Sequence, residues 1–283
     1  MNLMKSILLA VLFSVIVMAC IVSSSFAADA KKVVPIDAPP KAPPASKFAP
    51  AEDLASQVEY YTKRLGGYVE SQEEYKDSVD RIAKDSNTLI VIALTLGLHD
   101  TDNPYKSAAP EIIKASQELA KTKTYAEAKA AVAKVKKTTT VSKTAKLAPK
   151  DKKEKPNGLK WENVASLKQL MLAVPAINTQ LKRNMKLRRP RRDGPKAAGR
   201  SAVIAVIGQA SLYHSADTSK PKLFKEWYKY CEEMRNAAAE VNAIAHKGDK
   251  KAARKAMQRL AQSCDTCHEV FHKEAIGKED AEE

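Results

Sequence analysis

Aromatic residues and glycine are scarce in this chain of 283 residues, with 6% aromatics and 9 glycines. No segment resembles a catalytic triad, a phosphate-binding loop or a pair of catalytic carboxylates. Alanine, lysine, leucine, valine and glutamate are the common residues, and this composition favours helix and gives little support to a β-sheet. The sequence therefore predicts an all-α fold and shows no sign of an enzyme active site.

Cysteine is also scarce, and the 4 that occur do not form the pattern of a disulfide framework. Cys20 lies in a targeting segment and Cys231 stands alone in the sequence. Cys264 and Cys267 form a close pair that is followed directly by His268.

Acidic residues are outnumbered by lysine and arginine, 33 to 48, which gives a formal net charge of +15. This excess suggests an acidic protein surface, an anionic membrane face or nucleic acid as partner. The N-terminus narrows the choice, because Lys5 precedes the apolar run Ile7–Val22 and small-residue cleavage sites lie at 25–27 and 28–30. This is the layout of a secretory signal peptide. We therefore expect export to the periplasm or an equivalent compartment, and no nucleic-acid partner.

Two alternatives for this segment stay open. Cys20 lies in a loose lipoprotein cleavage box, and the apolar run would act as a membrane anchor if it stayed uncut. Contact with a membrane is expected here only if the segment is uncut or lipidated.

Proline-rich and lysine-rich stretches divide the rest of the chain into modules. The predicted segments are a signal peptide (1–28), a Pro-rich tether (29–50), a first four-helix module (51–138), a basic linker (139–157), a second four-helix module (158–276) and an acidic tail (277–283). Apolar spacing predicts eight helices, at about 51–70, 73–98, 107–121, 125–137, 160–187, 195–214, 222–246 and 249–274. Gly248 and Asp249 are a helix end followed by an N-cap.

The two modules resemble one another, which suggests an internal duplication. Residues 98–102 recur as 213–218 at the end of an apolar helix, and the same order of helices follows. The alignment places Thr139, Ser142 and Lys143 opposite Cys264, Cys267 and His268. The first copy would then lack the motif described next, although two unrelated helical modules remain the alternative.

The chemistry lies in Cys264-Asp265-Thr266-Cys267-His268, the C-x-x-C-H pattern of haem attachment. Two thiols at this spacing each add to a vinyl group of one porphyrin, and the next residue directs an imidazole at the iron. A thioredoxin-like dithiol would follow a strand, a zinc site would need further ligands, and a structural disulfide within a helix would be strained. The sequence therefore predicts one covalently attached haem c.

At the C-terminus the chain resembles the cytochrome c′ family, the class II c-type cytochromes. The resemblance covers roughly 158–276 and rests on the motif in the last helix of a four-helix bundle. It is most specific at Ser263–Phe271, where a small residue, the motif, two variable residues and an aromatic follow one another. It implies tandem up-and-down four-helix bundles, with Phe271 in the haem pocket. Where the family usually has an arginine, this chain has His272. The replacement puts into doubt any role carried over from that arginine, and His272 is itself a candidate residue of the haem pocket.

The resemblance also implies where the sixth iron ligand lies. In the family the distal position is on the first helix of the bundle, with Leu in gas-binding members and Met in low-spin electron carriers. Met171 shares an apolar stripe with Leu167 and is the predicted ligand. The stretch that ends at Met171 is one residue shorter than the corresponding stretch in the family. Leu170 or Leu172 therefore remains an alternative candidate for the distal residue.

The predicted function is electron transfer by an exported monohaem cytochrome that is not an enzyme. The alternative is a five-coordinate haem that binds nitric oxide or carbon monoxide. The expected partner is a redox protein with an acidic docking face. We also expect association through the first two helices, as in the family, either with a second bundle or as a homodimer. The basic run 182–192 is either a solvated loop or a docking site for that partner or for anionic lipid.

Overall fold

The computed structural model describes residues 38–144, 158–162 and 164–272, and these residues form α-helices and short 3-10 turns with no strand. The helices are α1 (Ala51–Gly67), α2 (Gln72–Lys76), α3 (Val79–Leu98), α4 (Ala109–Leu119), α5 (Tyr125–Thr144), α6 (Leu167–Met185), α7 (Pro190–Ser211), α8 (Phe224–Lys247) and α9 (Lys250–Phe271). The prediction of an all-α helical bundle is confirmed.

Local sequence signals account for several helix ends. The Ser166 hydroxyl accepts from the Gln169 backbone N–H and caps the start of α6, as the Asp249 carboxylate does for the second and third residues of α9. Gly248 ends α8 with a φ of 67°, a left-handed conformation that glycine adopts at low cost. The predicted helix end and N-cap at Gly248 and Asp249 are confirmed.

Other boundaries differ from the predicted ones. The predicted helix 73–98 is two helices, broken at Asp77 and Ser78, and α5 extends into the predicted linker as far as Thr144. α7 begins at Pro190, earlier than predicted, because proline is tolerated in the first turn and Asp193 accepts from the Arg189 backbone N–H. The end of the predicted tether packs into the core, since Phe48 and Ala49 are buried.

Each half of the described chain forms a four-helix arrangement. In the first half, α1 packs on α3 and α5, and α4 packs on α3 and α5. In the second half, α7 packs on α6 and α8, and α9 packs on α8 and α6. The same order of packing in both halves is what a duplication predicts, and the duplication stays a prediction. Thr139 lies in α5, whereas the side chains of Ser142 and Lys143 lie outside the described residues.

The two halves contact each other through their first two long helices. α1 packs on α7, and α3 packs on α6 and α7, within one compact unit. A single main core of apolar side chains continues through both halves. The first half therefore covers one face of α6 and α7.

Polar contacts bind the halves together as well. The Asp53 carboxylate is buried and accepts from Asn242 Nδ2 at 2.7 Å and from His246 Nε2 at 2.8 Å. Gly199 leaves room on α7 for a side chain of α1, because an added Cβ would meet the amide of Gln57. The carboxylate of one half is thus satisfied by side chains of the other.

We expect Asp53→Ala to lower the free energy of unfolding by about 1–3 kcal/mol, because Asn242 and His246 would lose a buried acceptor. Urea unfolding followed by circular dichroism measures the change. The exposed neighbour Glu52 lies in the same first turn of α1, so Glu52→Ala is the matched control for the helix-dipole contribution. Equal losses in the two variants would show that the contact between halves contributes nothing.

None of the described helices is both long and apolar enough to cross a membrane. The predicted signal peptide and the acidic tail lie outside the described residues.

Candidate functional site

The C-x-x-C-H motif lies near the end of α9, as the sequence predicted for a motif within a helix. Cys264, Cys267 and His268 are half-buried, so each side chain is partly accessible from outside the bundle. Cys231 and Cys267 are free thiols. No strand precedes the motif in the described chain, which removes the context that a thioredoxin-like dithiol needs.

Beside the motif lies a small aromatic cluster that is separate from the main core. We call it the motif cluster, and its buried members are Leu212, Trp227, Tyr228, Cys231 and Phe271. Cys267 packs on it together with Leu167, Tyr213, Leu223, Phe224, Tyr230 and Val270. These residues come from α6, α8 and α9 and from the turns after α7, so the whole second bundle contributes to one end.

Specific contacts fix the aromatic rings of this cluster. Trp227 Nε1 donates to the Ser211 carbonyl oxygen at 2.8 Å. The Phe271 ring meets the Trp227 ring edge-on, with centroids 5.2 Å apart, and the Tyr230 ring at 6.2 Å. The predicted pocket residue Phe271 thus lies in an apolar environment one turn beyond Cys267.

Burial controls the protonation of the thiols. It raises the pKa of Cys267 to about 12, and the neighbouring Cys264 acts in the same direction. Burial also raises the pKa of Cys231 well above its usual value. Both thiols therefore stay protonated at neutral pH in this arrangement.

Histidine geometry near the motif does not favour a zinc site. The rings of His268 and His272 lie 5.9 Å apart at an interplanar angle of 88°. Within the described part of the chain, no group of three or more His, Cys, Asp or Glu side chains is placed to hold a metal ion. His272 is exposed, and its backbone N–H donates to the His268 carbonyl oxygen at 2.8 Å.

The predicted distal residues on α6 occupy three different environments. Met171 is half-buried and packs against the main core, and Leu170 is fully buried in that core. Leu172 leaves 50% of its surface exposed. The roles of all three at the distal face stay predictions.

One α6 residue next to the motif was not singled out by the sequence. Leu167 contacts the motif cluster, one helical turn before Met171 on the same apolar stripe. The helical period links these two positions, but only the packing of α6 against α9 decides which of them lies at the level of Cys267.

The donor set and its surroundings fit a covalently bound haem. Two half-buried thiols and an imidazole lie within five residues of one helix, and aromatic and aliphatic side chains pack beside one of the thiols, that of Cys267. A porphyrin needs such an apolar, aromatic-lined site, with a histidine to hold the iron.

A comparison with protein families gives a match in this region. Residues 203–272 match the model of the family described as cytochrome C′. The C-terminal segment is cytochrome c′-like. The predicted resemblance of the C-terminal part is therefore confirmed. Searches of curated proteins and of solved structures each found no match.

The extent of the cytochrome c′ match is informative. It covers about a quarter of the chain, from within α7 to His272, and it includes the whole motif and most of the motif cluster. It excludes α6, which carries Met171, and the entire first half. The cytochrome c′ family consists of c-type haem proteins, typically exported, that carry electrons or bind gases rather than act as classical enzymes.

Proposed function

We propose that this protein is an exported c-type cytochrome that carries single electrons through one covalently bound haem. The observation that carries the proposal is the half-buried motif beside an aromatic cluster, in a segment that matches cytochrome c′. In this proposal Cys264 and Cys267 bind the porphyrin and His268 is the proximal ligand. A haem held there supplies reversible one-electron chemistry at iron.

The chain's own residues would give that haem its environment. The motif cluster would pack against the ring and exclude water from one of its sides. Because the thiols and the imidazole are half-exposed, an edge of the ring would remain close to the surface. An accessible edge is what an electron carrier needs in order to exchange electrons with a partner.

A redox partner with an acidic face would dock at this end of the bundle. Exposed lysines flank the motif cluster, and they are Lys220, Lys222, Lys225 and Lys229. Their charge complements an acidic surface and would steer its approach. The first half would not interfere, because its helices pack on α6 and α7 and its contacts with Asn242 and His246 lie near the end of α8, whereas Trp227 of the motif cluster lies near its start.

Met171 is the proposed sixth ligand, because it lies near the start of α6, the helix that carries the distal position in the family. Met185, the other methionine of α6, lies at the far end of that helix. The Met171 thioether would cap the iron and raise the reduction potential. The alternative is that Met171 only packs in the core, and its contact with the main core is equally suited to that role.

The visible spectrum of the holoprotein tests this ligation. We expect a sharp low-spin spectrum that carbon monoxide does not change, and we expect Met171→Leu to convert it to a high-spin spectrum that does respond to the gas. Met257→Leu is the matched control, since Met257 is also half-buried against the main core and lies on α9. A wild-type spectrum that is already high-spin and shifts with carbon monoxide would defeat Met171 as ligand.

A specific observation favours a second function, the binding of nitric oxide or carbon monoxide at five-coordinate iron. On α6 the side chain that packs with the motif cluster is Leu167, and Met171 packs elsewhere. A leucine at the distal face would leave the iron open to a small gas. In that case Leu167→Ala would speed the binding of carbon monoxide, whereas Met171→Leu would leave it unchanged.

A further inference from the structure

The end of the second bundle opposite the motif carries a dense set of exposed cations. We call it the basic end, and its members are Lys182, Arg183, Lys186, Arg188, Arg189, Arg191, Arg192, Lys196, Lys247, Lys250, Lys251, Arg254 and Lys255. They belong to two segments, 182–196 and 247–255, which comprise the connections α6–α7 and α8–α9 and the helix turns on either side of each. These connections are adjacent in space, because a Cβ added to Gly248 would lie 3.4 Å from Pro190 Cβ.

Few acidic groups offset this charge. Asp193 and Asp249 are the carboxylates of the two connections, and both are used to cap helices. Within the described residues, Arg192 is the only member of the set with a carboxylate within 4 Å, that of Asp193. The remaining charges face solvent without a neutralising partner among the described side chains.

The helix dipole explains only some of the cations at the basic end. A positive side chain is favourable in the last turn of a helix, which accounts for Lys182 and Lys247. The same dipole disfavours cations in a first turn, yet Lys250 and Lys251 begin α9, whose first turn has no acidic residue. The cations at the helix starts therefore need another reason, and an anionic ligand supplies one.

Distance from the motif excludes the redox partner as the best occupant. α9 begins at the basic end with Lys250 and reaches Cys264 and His268 14 and 18 residues later. At the rise of an α-helix this separation is about 21 to 27 Å. A redox protein seated on the basic end would be separated from the haem by most of the bundle.

We propose that the basic end binds the anionic headgroups of a membrane surface. The phosphates of the lipids would neutralise the cations of both connections at once, and the bundle would stand with its motif end directed away from the membrane. The motif end would then remain open to soluble redox partners. This surface acts by charge, so it does not require insertion of the N-terminal segment.

Sedimentation with lipid vesicles tests the proposal on the exported holoprotein. The vesicles are phosphatidylcholine alone or phosphatidylcholine mixed with phosphatidylglycerol. We expect binding to the mixed vesicles, loss of that binding in high salt, and no binding to phosphatidylcholine alone. The triple variant Arg188→Gln, Arg189→Gln and Arg191→Gln should bind the mixed vesicles at least about ten-fold more weakly.

The matched control removes three exposed cations at the motif end, Lys220→Gln, Lys222→Gln and Lys229→Gln, and should retain binding. All six positions are exposed, so both variants should keep the wild-type circular dichroism spectrum. Equal weakening in both variants would overturn the proposal in favour of non-specific attraction by net charge. Salt-resistant binding to neutral vesicles would overturn it in favour of an apolar anchor. If the basic-end variant kept vesicle binding but was reduced more slowly by an acidic redox protein, that end would be a redox docking site instead.

Discussion

Replacing both Cys264 and Cys267 by serine should give a helical protein that carries no covalent haem. Each thioether bond of a c-type haem requires a cysteine sulfur, and a serine hydroxyl does not replace it. Haem staining after denaturing electrophoresis measures the loss, and the mass of the intact chain should fall by that of one haem beyond the two substitutions. We expect complete loss of covalent haem.

Cys231→Ser is the matched control for this experiment. Cys231 belongs to the motif cluster but lies on α8, outside the motif. We expect it to keep one covalent haem. Haem that survives denaturation in the double variant, or that is lost in the control, would contradict the assignment of the two attachment residues.

Gly208→Ala should produce a large loss of stability, of the same order as Asp53→Ala. An added Cβ would lie 2.9 Å from the Arg235 backbone nitrogen and 3.1 Å from the Cys231 carbonyl oxygen. Both are backbone atoms of α8, so the strain can be relieved only by moving the two helices apart. We expect the free energy of unfolding to fall by about 1–3 kcal/mol, measured by urea denaturation.

Gly67 provides the contrast for that substitution. It is the last residue of α1, and nothing lies within 4 Å of the position its Cβ would take. Gly67→Ala should leave stability unchanged or raise it by up to about 1 kcal/mol, because alanine restricts the unfolded chain. If Gly208→Ala were equally harmless, α7 and α8 would not be in the close contact described.

The sequence was most informative where one short signal decides the structure. The spacing of apolar residues located the long helices, and Gly248 with Asp249 marked the turn before α9. The motif could be assigned to a helix because no strand pattern surrounds it. In each case the physical cause lies within a few neighbouring residues, so no knowledge of the tertiary fold was needed.

The features that could not be predicted from the sequence depend on packing between distant segments. Leu167 and Met171 lie on one stripe, and only the position of α6 relative to α9 separates their environments. The break at Asp77 and Ser78 interrupts an otherwise continuous helical pattern. The contact between Asp53 and His246 joins residues far apart in the chain and leaves no local signal.

The basic end also could not be predicted in full from the sequence. The run 182–192 was visible in the sequence, and it had two candidate partners. The lysines that begin α9 join the same surface only because the two connections meet at Gly248 and Pro190. In our proposal their shared distance from the motif favours anionic lipid over the redox protein, and that distance is a property of the fold.

The first half covers α6 and α7 as part of the same chain, and this has a consequence for assembly. Two separate subunits held by such a face would part on dilution, since their association depends on concentration. Here the local concentration of one half near the other is set by the connecting segment. A single molecule is therefore already assembled, however low the concentration of the protein.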